Sequence, residues 1–382
     1  MSWSDNVAVL GSASTRFGDH FGRSAADLMN EAVNGALLDA GISLADVEAG
    51  WMGTYFPHSG LAGTALSDAA GLGGKPVTRV ENYCVTGSDT VRQAVMAVAS
   101  GAYEIVIAVG VEKLKEWGDV GIPDQGDHMT FARGRSAPGG FALSATAYLN
   151  SYGLQTDVLD QVAVKNHDNG AEHPLAHLRS RITLEQAAAA PPVASPLRLY
   201  DCCPTSDGAS AVVLGRRELS TPDRATVTFR GIGLSSFTAD PYFANSFDYL
   251  SWEATRVAAK SAYQQAGLSP KDISLAEVHD CFTITELINI EDLGLAEKGL
   301  AWRLSNDGET RFDGTIPINP SGGLKAFGHP VGATGVRMVY EVSRQLQERS
   351  EGRQVNAPKF GITHNVGGPG GAISAVMILG SE

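Results

Sequence analysis

The feature that most constrains how this chain can fold is a segment that occurs once in each half. Residues 31–47 read EAVNGALLDAGISLADV, and residues 257–273 read VAAKSAYQQAGLSPKDI. At one offset of 226 residues (267 − 41), Ala36, Ala40, Gly41, Ser43 and Asp46 are among the positions identical to their counterparts. Two independent helices that each end at a glycine would give part of this agreement. The shared Ser-x-x-Asp favours duplication, and predicts two α/β halves in which strands alternate with helices.

Local patterns agree with such an architecture. Val7–Leu10 predicts a strand, and Ile105–Val109 predicts a strand that is buried on both faces. A helical pattern starts after Ser24, as its N-cap, and ends at Gly41. Residues 117–140, rich in Gly, Pro and Asp, predict a long covering loop.

Charge and cysteine content exclude several classes of protein. The net charge of −13 argues against a nucleic-acid partner. Four cysteines in 382 residues do not make a disulfide scaffold, and they lack the paired spacing of a zinc site. The N-terminus does not resemble a secretory signal, and no apolar run reaches the ~20 residues that cross a bilayer. We expect a cytoplasmic protein with reduced thiols, no bound metal and no membrane insertion.

Cys84 is the first candidate for chemistry. It lies in ENYCVTGS, directly before a helical pattern. Backbone amides and the dipole at a helix N-terminus stabilise a thiolate, which is the nucleophilic form of cysteine. The alternative is a buried structural cysteine.

Three further segments combine histidine or cysteine with unusual neighbours. His329 lies in GHPVGATG, where it is a candidate base or oxyanion donor; the alternative is a loop histidine that is hydrogen-bonded locally. His279 and Cys281 lie in VHDCFT, which suits an acid/base thiol beside a hydrogen-bond donor. His364 precedes a Gly-rich turn that contains Gly367, where backbone N–H groups can face an oxyanion; a plain tight connection is the alternative. Adjacent Cys202 and Cys203 are interpreted as part of a structural turn.

Together these segments, in this order, resemble the thiolase superfamily and specifically its sterol-carrier-type branch. The STRFG, QVAVKNHDNGAEHP and DCCPTSDGASAVVL segments extend the resemblance over nearly the whole chain. The resemblance implies an α/β fold of two βαβαβαββ halves, packed as a five-layer αβαβα sandwich with an inserted loop domain. It places the first half at 1–116 and 196–222, the insertion at 117–195 and the second half at 223–382.

The resemblance also implies roles for the residues named above. Cys84 is the acylated nucleophile, and His329 is its base and an oxyanion-hole donor. His279 replaces the asparagine with which better-known thiolases hold an oxyanion-hole water. Cys281 replaces the acid/base cysteine that those enzymes carry in a Cys-x-Gly turn. His364 is a supporting donor, and the backbone amides of Cys84 and Gly367 form a second oxyanion hole.

The expected activity is that of a coenzyme A-dependent acyltransferase, a 3-oxoacyl-CoA thiolase that works by ping-pong Claisen chemistry. Coenzyme A and acyl-CoA are substrates, with no permanently bound cofactor, and Arg133, Arg135 and Lys165 are candidates to bind the CoA phosphates. We expect a homodimer or tetramer, with a small OB-fold acyl-CoA-binding protein as a further partner. The alternatives are a biosynthetic acyltransferase with another carbon acceptor, and a non-thiolytic acyl-CoA-binding or aldolase-type subunit.

Overall fold

The computed structural model describes residues 4–117, 136–238 and 247–382. Its strands are β1 Val7–Ser14, β2 Ala49–Gly53, β3 Val77–Val80, β4 Ile105–Glu112, β5 Pro192–Ala194, β6 Leu197–Arg198, β7 Gly208–Arg216, β8 Val227–Ser236, β9 Leu275–Glu277, β10 Phe360–Gly367 and β11 Ile373–Ser381. Its α-helices are α1 Ala25–Ala40, α2 Thr64–Ala70, α3 Thr86–Ala99, α4 Ala137–Tyr152, α5 Asp157–Ala171, α6 Leu184–Ala188, α7 Glu253–Ala266, α8 Thr283–Asp292, α9 Ala301–Asn306, α10 Gly323–Phe327 and α11 Val331–Leu346.

The repeated segment folds the same way twice. Helix α1 ends at Gly41 and helix α7 at Gly267, and both glycines adopt the left-handed conformation, with φ of 68° and 66°. A short 3₁₀ turn follows each glycine, and in each an aspartate accepts from the backbone N–H of the serine three residues earlier. A strand that belongs to the large sheet comes next in both halves. The duplication read from the sequence is therefore structural.

Sheet topology repeats the same symmetry. Nine strands are joined in the order β3-β2-β4-β7-β1-β8-β11-β10-β9. From the middle outwards, β1, β7, β4, β2 and β3 match β8, β11, β10, β9 and a short parallel bridge from Ala276 to Ile318. In both halves the inner pairs are antiparallel and the outer pairs parallel. Residues Ala8 and Thr228 join the two halves.

Alternating side chains on these strands form the cores on either side of the sheet. Val106 and Ala108 of β4 contribute to the core that contains α3 and α11, whereas Ile107 and Val109 face the core under α1. Helix α7 covers β8 and β11 in the other half. The two halves of the nine-stranded sheet therefore lie on either side of α3 and α11. Outer helices cover the other face of each half, which gives the five layers that were predicted.

The insertion differs in one respect from the sequence prediction. The covering loop predicted for 117–140 is wrong at its C-terminal end, because α4 begins at Ala137. Ser136 caps this helix, accepting a hydrogen bond from the Gly139 N–H at 3.3 Å. The pair of glycines in the first turn, which disfavours helix by propensity, concealed this start in the sequence. Among the described residues, no helix is both long and apolar enough to cross a membrane.

Candidate active site

Cys84 lies in the turn between β3 and α3, two residues before the helix begins. Its side chain is half-buried. Beside it, Tyr83 has a left-handed backbone with φ of 49°, a conformation that persists for such a residue only where the surrounding structure holds it. Thr86 Oγ1 holds the turn by accepting from the Asn82 N–H at 2.8 Å. The predicted nucleophile thus lies at the positive end of the α3 dipole.

His329 has the equivalent position in the second half, two residues before α11 begins. Helices α3 and α11 meet closely at these ends because Gly87 has no side chain. A Cβ there would come 2.7 Å from both the Gly332 carbonyl oxygen and the Gly335 nitrogen. The glycines of GHPVGATG therefore allow two helix ends to meet, and this contact brings Cys84 and His329 together.

Three side chains converge at this meeting point. The Sγ of Cys84 and one ring nitrogen each of His279 and His329 lie within 4.8 Å of one another. The two imidazole rings are nearly perpendicular, with centroids 5.1 Å apart, and both are buried. Within the described part of the chain this group has three ligand atoms, one fewer than a closed structural zinc site needs. It does supply a nucleophile next to two groups that can move or hold a proton.

The hydrogen bonds of His329 define its tautomer. Thr334 Oγ1 lies 2.7 Å from His329 Nδ1, and the Thr334 hydroxyl donates to the Pro330 carbonyl oxygen at 3.0 Å. Thr334 must therefore accept from His329 Nδ1–H, which leaves Nε2 without a proton. This Nε2 is buried and has no hydrogen-bond partner in the described structure. Burial and the charge of Arg337 lower the His329 pKa to about 3, so the ring is neutral and available as a base.

His279 has the opposite tautomer. Ser88 Oγ donates to Asn365 Oδ1 at 2.6 Å, which fixes the orientation of the amide. The Asn365 Nδ2 group then donates to His279 Nδ1 at 3.1 Å, so the proton of this imidazole is on Nε2. Burial, followed by the charges of neighbouring histidines, lowers the His279 pKa well below its usual value. The site thus combines a bare ring nitrogen on His329 with an N–H donor on His279.

His364 supports this arrangement from behind. Thr255 donates to Ser374 Oγ at 3.2 Å, so it accepts from His364 Nε2–H at 3.0 Å. His364 Nδ1 then accepts, at a long 3.5 Å, from the backbone N–H of His279. Burial lowers the pKa of His364 to about 3. The structure therefore places His364 against the backbone of His279.

Cys281, the predicted acid/base, is buried four residues after β9 ends. Thr285 donates to the Phe282 carbonyl oxygen at 2.7 Å, so at 3.9 Å it accepts from the Cys281 thiol. Burial, and then the neighbouring sulfurs of Cys203 and Cys84, raise the pKa of the Cys281 thiol well above its usual value. Cys281 is therefore a protonated thiol at rest, and Cys84 is one of the groups that raise its pKa.

Asp280 lies between His279 and Cys281 in the chain, and its carboxylate holds neighbouring segments in place. Its carboxylate accepts from the Leu324 N–H at 2.6 Å and from Asn166 Nδ2 at 2.9 Å, so it holds the start of α10. It also fills the space beside Gly323, where a Cβ would come within 2.2 Å of an Asp280 carboxylate oxygen. Burial, and then the charge of Glu286, raise the Asp280 pKa to about 7. Helix α10 leads directly into Gly328 and His329, so the residue between His279 and Cys281 fixes the approach to the base.

Gly367, at the end of β10, lies against the backbone of the nucleophile. A Cβ at this position would come 2.8 Å from the Cys84 backbone nitrogen. The two segments predicted to contribute backbone amides to one oxyanion hole are thus adjacent in space. Their role in binding an oxyanion stays a prediction.

One cysteine near the site was missed by the sequence analysis, which interpreted Cys203 as part of a turn. The Cys203 backbone N–H donates to the Cys281 carbonyl oxygen at 2.9 Å, and Cys202 forms an antiparallel bridge with Phe282. Cys84 is one of the groups that raise the pKa of the Cys203 thiol. No local pattern marks Cys203, because its proximity depends on pairing between segments almost 80 residues apart.

The residues proposed for CoA phosphates have a different outcome. Lys165 is buried, its ammonium group pairs with Glu286 at 2.6 Å, and it donates to the Ile318 carbonyl oxygen. This placement is at odds with a phosphate-binding role, because the charge is already satisfied inside the protein. Arg133 and Arg135 lie outside the described residues.

Comparison with known proteins assigns the family. The thiolase N-terminal domain model matches residues 7–218, and the thiolase C-terminal domain-like model matches residues 237–381. The chain belongs to the thiolase family. The predicted boundary between the halves, 222/223, falls in the gap between the two matched ranges; the finer domain limits stay predictions.

Relatives of this thiolase are similar over its whole length. It is 40% identical to an acetyl-CoA acetyltransferase of Methanothermobacter thermautotrophicus, over 98% of this chain and 99% of the relative. It is 30% identical to human sterol carrier protein 2, over 98% of this chain and 72% of the relative. These matches and the family confirm that the protein is a thiolase-type acyltransferase.

Two solved structures are similar in fold. The Ltp2-ChsH2(DUF35) aldolase matches with a TM-score of 0.87 at 26% identity, over 100% of this chain and 99% of that one. Human mitochondrial 3-ketoacyl-CoA thiolase matches with a TM-score of 0.75 at 18% identity, over the full length of both chains. The second likeness supports the thiolase fold alone.

Proposed function

We propose that this thiolase transfers an acyl group reversibly between coenzyme A and the C2 carbon of acetyl-CoA, with Cys84 as the acyl carrier. The observation that carries the proposal is the pair of opposite tautomers beside Cys84: a bare Nε2 on His329 and an N–H donor on His279. The name of the acetyl-CoA acetyltransferase relative, at 40% identity, favours an acetyl substrate.

In the first half-reaction, His329 Nε2 takes the proton of Cys84, and Sγ attacks the ketone carbon of a 3-oxoacyl-CoA. The carbonyl oxygen becomes anionic and is stabilised by the His279 N–H, through the water molecule expected from the family resemblance. A neutral His329 suits this role, since a ring that was already protonated would have no lone pair for the cysteine proton.

Cleavage of the carbon–carbon bond then releases acetyl-CoA as a carbanion at C2. The Cys281 thiol donates its proton to that carbon, and burial keeps this thiol protonated until it is needed. Coenzyme A next attacks the Cys84 thioester and takes the acyl group, while its thiol proton passes to the Cys281 thiolate. His329 returns its proton to the Cys84 thiolate that leaves. In this proposal the backbone amides of Cys84 and Gly367 stabilise the oxyanion of the second half-reaction, and the close approach of their two segments supports that role.

Partners are part of the same proposal. We infer a cytoplasmic homodimer or tetramer that acts in acyl-CoA metabolism, such as fatty-acid or sterol side-chain oxidation. The structural likeness to an aldolase that contains a DUF35 chain favours a small acyl-CoA-binding partner of that kind. Co-purification of a tagged chain tests this, with size-exclusion chromatography of the purified protein giving the oligomeric state.

The same likeness favours one second candidate, an aldolase-type subunit that cleaves a carbon–carbon bond without an acyl-enzyme. The arrangement of Cys84 and His329 argues for acyl transfer instead, because an aldol cleavage does not need a thiol nucleophile next to a base. A biosynthetic acyltransferase with another carbon acceptor would use the same first half-reaction and differ in the second.

Intact-protein mass spectrometry after incubation with acetyl-CoA or acetoacetyl-CoA tests the proposal. We expect one acetyl adduct on the wild type, its discharge by coenzyme A, and no adduct on Cys84→Ala. Cys281→Ala should still become acetylated at Cys84 but lose thiolysis and condensation. An adduct that persists in Cys84→Ala, or full turnover by Cys281→Ala, would refute the corresponding role. Carbon–carbon cleavage without any adduct would favour the aldolase-type reaction.

A further inference from the structure

Cys203 and Cys281 are directly opposite one another across a short antiparallel pairing. The bridge joins Cys202 to Phe282, so in antiparallel register the next residue of one segment faces the preceding residue of the other. The Cys203 N–H donates to the Cys281 carbonyl oxygen at 2.9 Å, in agreement with this register. Opposite residues project to the same face, with Cα atoms about 5.5 Å apart in a hydrogen-bonded pair. The acid/base cysteine therefore has a second thiol as its neighbour.

Lys325, near this pair of cysteines, differs from the other deeply buried cations of the described structure in its ion pairing. Other deeply buried cations in the described structure have a carboxylate within 4.0 Å: Lys113 pairs with Asp207, Lys165 with Glu286, Arg337 with Glu277 and Arg353 with Glu341. Lys325, with 2% of its surface exposed, has no such partner among the described residues. Its Nζ lies 6.0 Å over the ring of Tyr200. An unpaired buried charge is costly, so a nearby anion is expected.

Several ionisable groups of the described residues act on Lys325 and Cys203. Burial lowers the Lys325 pKa, and the charges of Cys203, Cys202, Asp280 and Asp201 oppose this shift. Burial raises the pKa of the Cys203 thiol, which Lys325 lowers, whereas Asp280, Cys202 and Cys84 raise it further.

Both carboxylates are held in place by hydrogen bonds from neutral donors. Asp280 accepts from the Leu324 N–H and from Asn166, and Asp201 accepts from Thr283 Oγ1 and the Arg198 N–H, each at 2.7 Å. These hydrogen bonds do not neutralise the two carboxylates, which also act on Lys325. Of the groups around Lys325, the thiols are the ones that can change charge in the acid/base step.

We propose that Cys203 and Cys281 act as one proton-sharing thiol pair whose anionic form is stabilised by Lys325. Cys203 and Lys325 are then positioning residues for the acid/base step, acting through Cys281. The inference rests on the function proposed above, and it adds two residues to the acid/base site that contains Cys281.

The step conserves protons and involves no oxidation. In the condensation direction, the anion of the pair takes one proton from C2 of acetyl-CoA and becomes two thiols. The C2 electron pair attacks the Cys84 thioester, the C–S bond breaks, and the Cys84 thiolate leaves. In the cleavage direction the pair returns that proton to C2, and its negative charge again balances the Lys325 ammonium.

Deuterium entry into the methyl group of acetyl-CoA in D₂O isolates this proton transfer, and it is followed by mass spectrometry alongside acetylation of Cys84. Cys203→Ala should slow exchange and condensation on the order of tenfold to a hundredfold, with Cys84 acetylation within about threefold of wild type. Lys325→Met should slow exchange similarly and move its pH profile upward by about one unit, because the thiolate loses its counter-charge. Lys325→Arg should recover part of the rate.

Cys202→Ala is the matched control, since the Cys202 thiol donates to the Arg198 carbonyl oxygen at 3.4 Å, and exchange should stay within about twofold of wild type. Preserved acetylation of Cys84 shows that a variant has folded. Wild-type exchange rates and pH profile in Cys203→Ala would overturn the proposal. Absence of Cys84 acetylation in the wild-type protein would instead count against the function on which it rests.

Discussion

Thr334 offers the sharpest test of the base assigned to Cys84. Its hydroxyl accepts the Nδ1 proton of His329 at 2.7 Å and thereby leaves Nε2 bare. Thr334→Val keeps the shape of the side chain and removes this acceptor. The Pro330 carbonyl oxygen is not orphaned, because it still accepts from the backbone N–H groups of Ala333 and Thr334 at 2.9 and 3.0 Å. The change therefore acts mainly on the tautomer of one histidine.

The expected size follows from the strength of that bond. A neutral hydrogen bond contributes about 1 kcal/mol net, which corresponds to about a fivefold change in tautomer population. Some loss of ring alignment adds to this, so we expect Cys84 acetylation to slow on the order of tenfold. The free energy of unfolding should fall by about 1–2 kcal/mol, because a buried N–H loses its partner or the ring adopts a less stable tautomer.

Rapid-quench mass spectrometry of acetyl-enzyme formation measures the rate, and urea denaturation measures the stability. Thr334→Ser keeps the hydroxyl and is the matched control, with an acetylation rate expected within about threefold of wild type. Wild-type acetylation by Thr334→Val would refute the argument that this hydroxyl selects the tautomer of His329. Equal loss in Thr334→Ser would indicate a packing effect instead.

Two further predictions concern packing and pH. Gly87→Ala should slow Cys84 acetylation at least a hundredfold and destabilise the fold by about 1–3 kcal/mol, because the new Cβ would separate α3 from α11. Gly73→Ala is the control, since a Cβ there would have nothing within 4 Å. A wild-type acetylation rate in Gly87→Ala would contradict the packing argument. His364 has its pKa lowered from 6.5 to about 3, so the unfolded state binds more protons between these values and stability should fall as pH decreases from about 6.5 to 3. His364→Gln should flatten this dependence in denaturation series at pH 4 to 7, and an unchanged slope would show that the buried ring is not responsible.

Much of the site could be named from the sequence because its residues lie at the ends of regular elements. The helical pattern after Cys84 could be predicted from the sequence, whereas α11, the helix that follows His329, was found only in the structure. The hydrogen bonds that give His279 and His329 opposite tautomers could not be predicted from the sequence. They depend on Ser88 meeting Asn365 across 277 residues, and only packing of the two halves makes that contact.

The sequence by itself determined the duplication and the alternation of strands and helices, and it named Cys84 as the candidate nucleophile. Each of these depends on local periodicity, on capping by Ser and Gly, or on a short motif, and such signals are carried by neighbours in the chain. The tertiary structure alone decided that Lys165 is paired internally, that the glycines of GHPVGATG serve helix contact, and that Cys203 is a neighbour of Cys281. These outcomes depend on which elements meet when the two halves pack, and that choice is made by the summed burial of many apolar side chains rather than by any one segment.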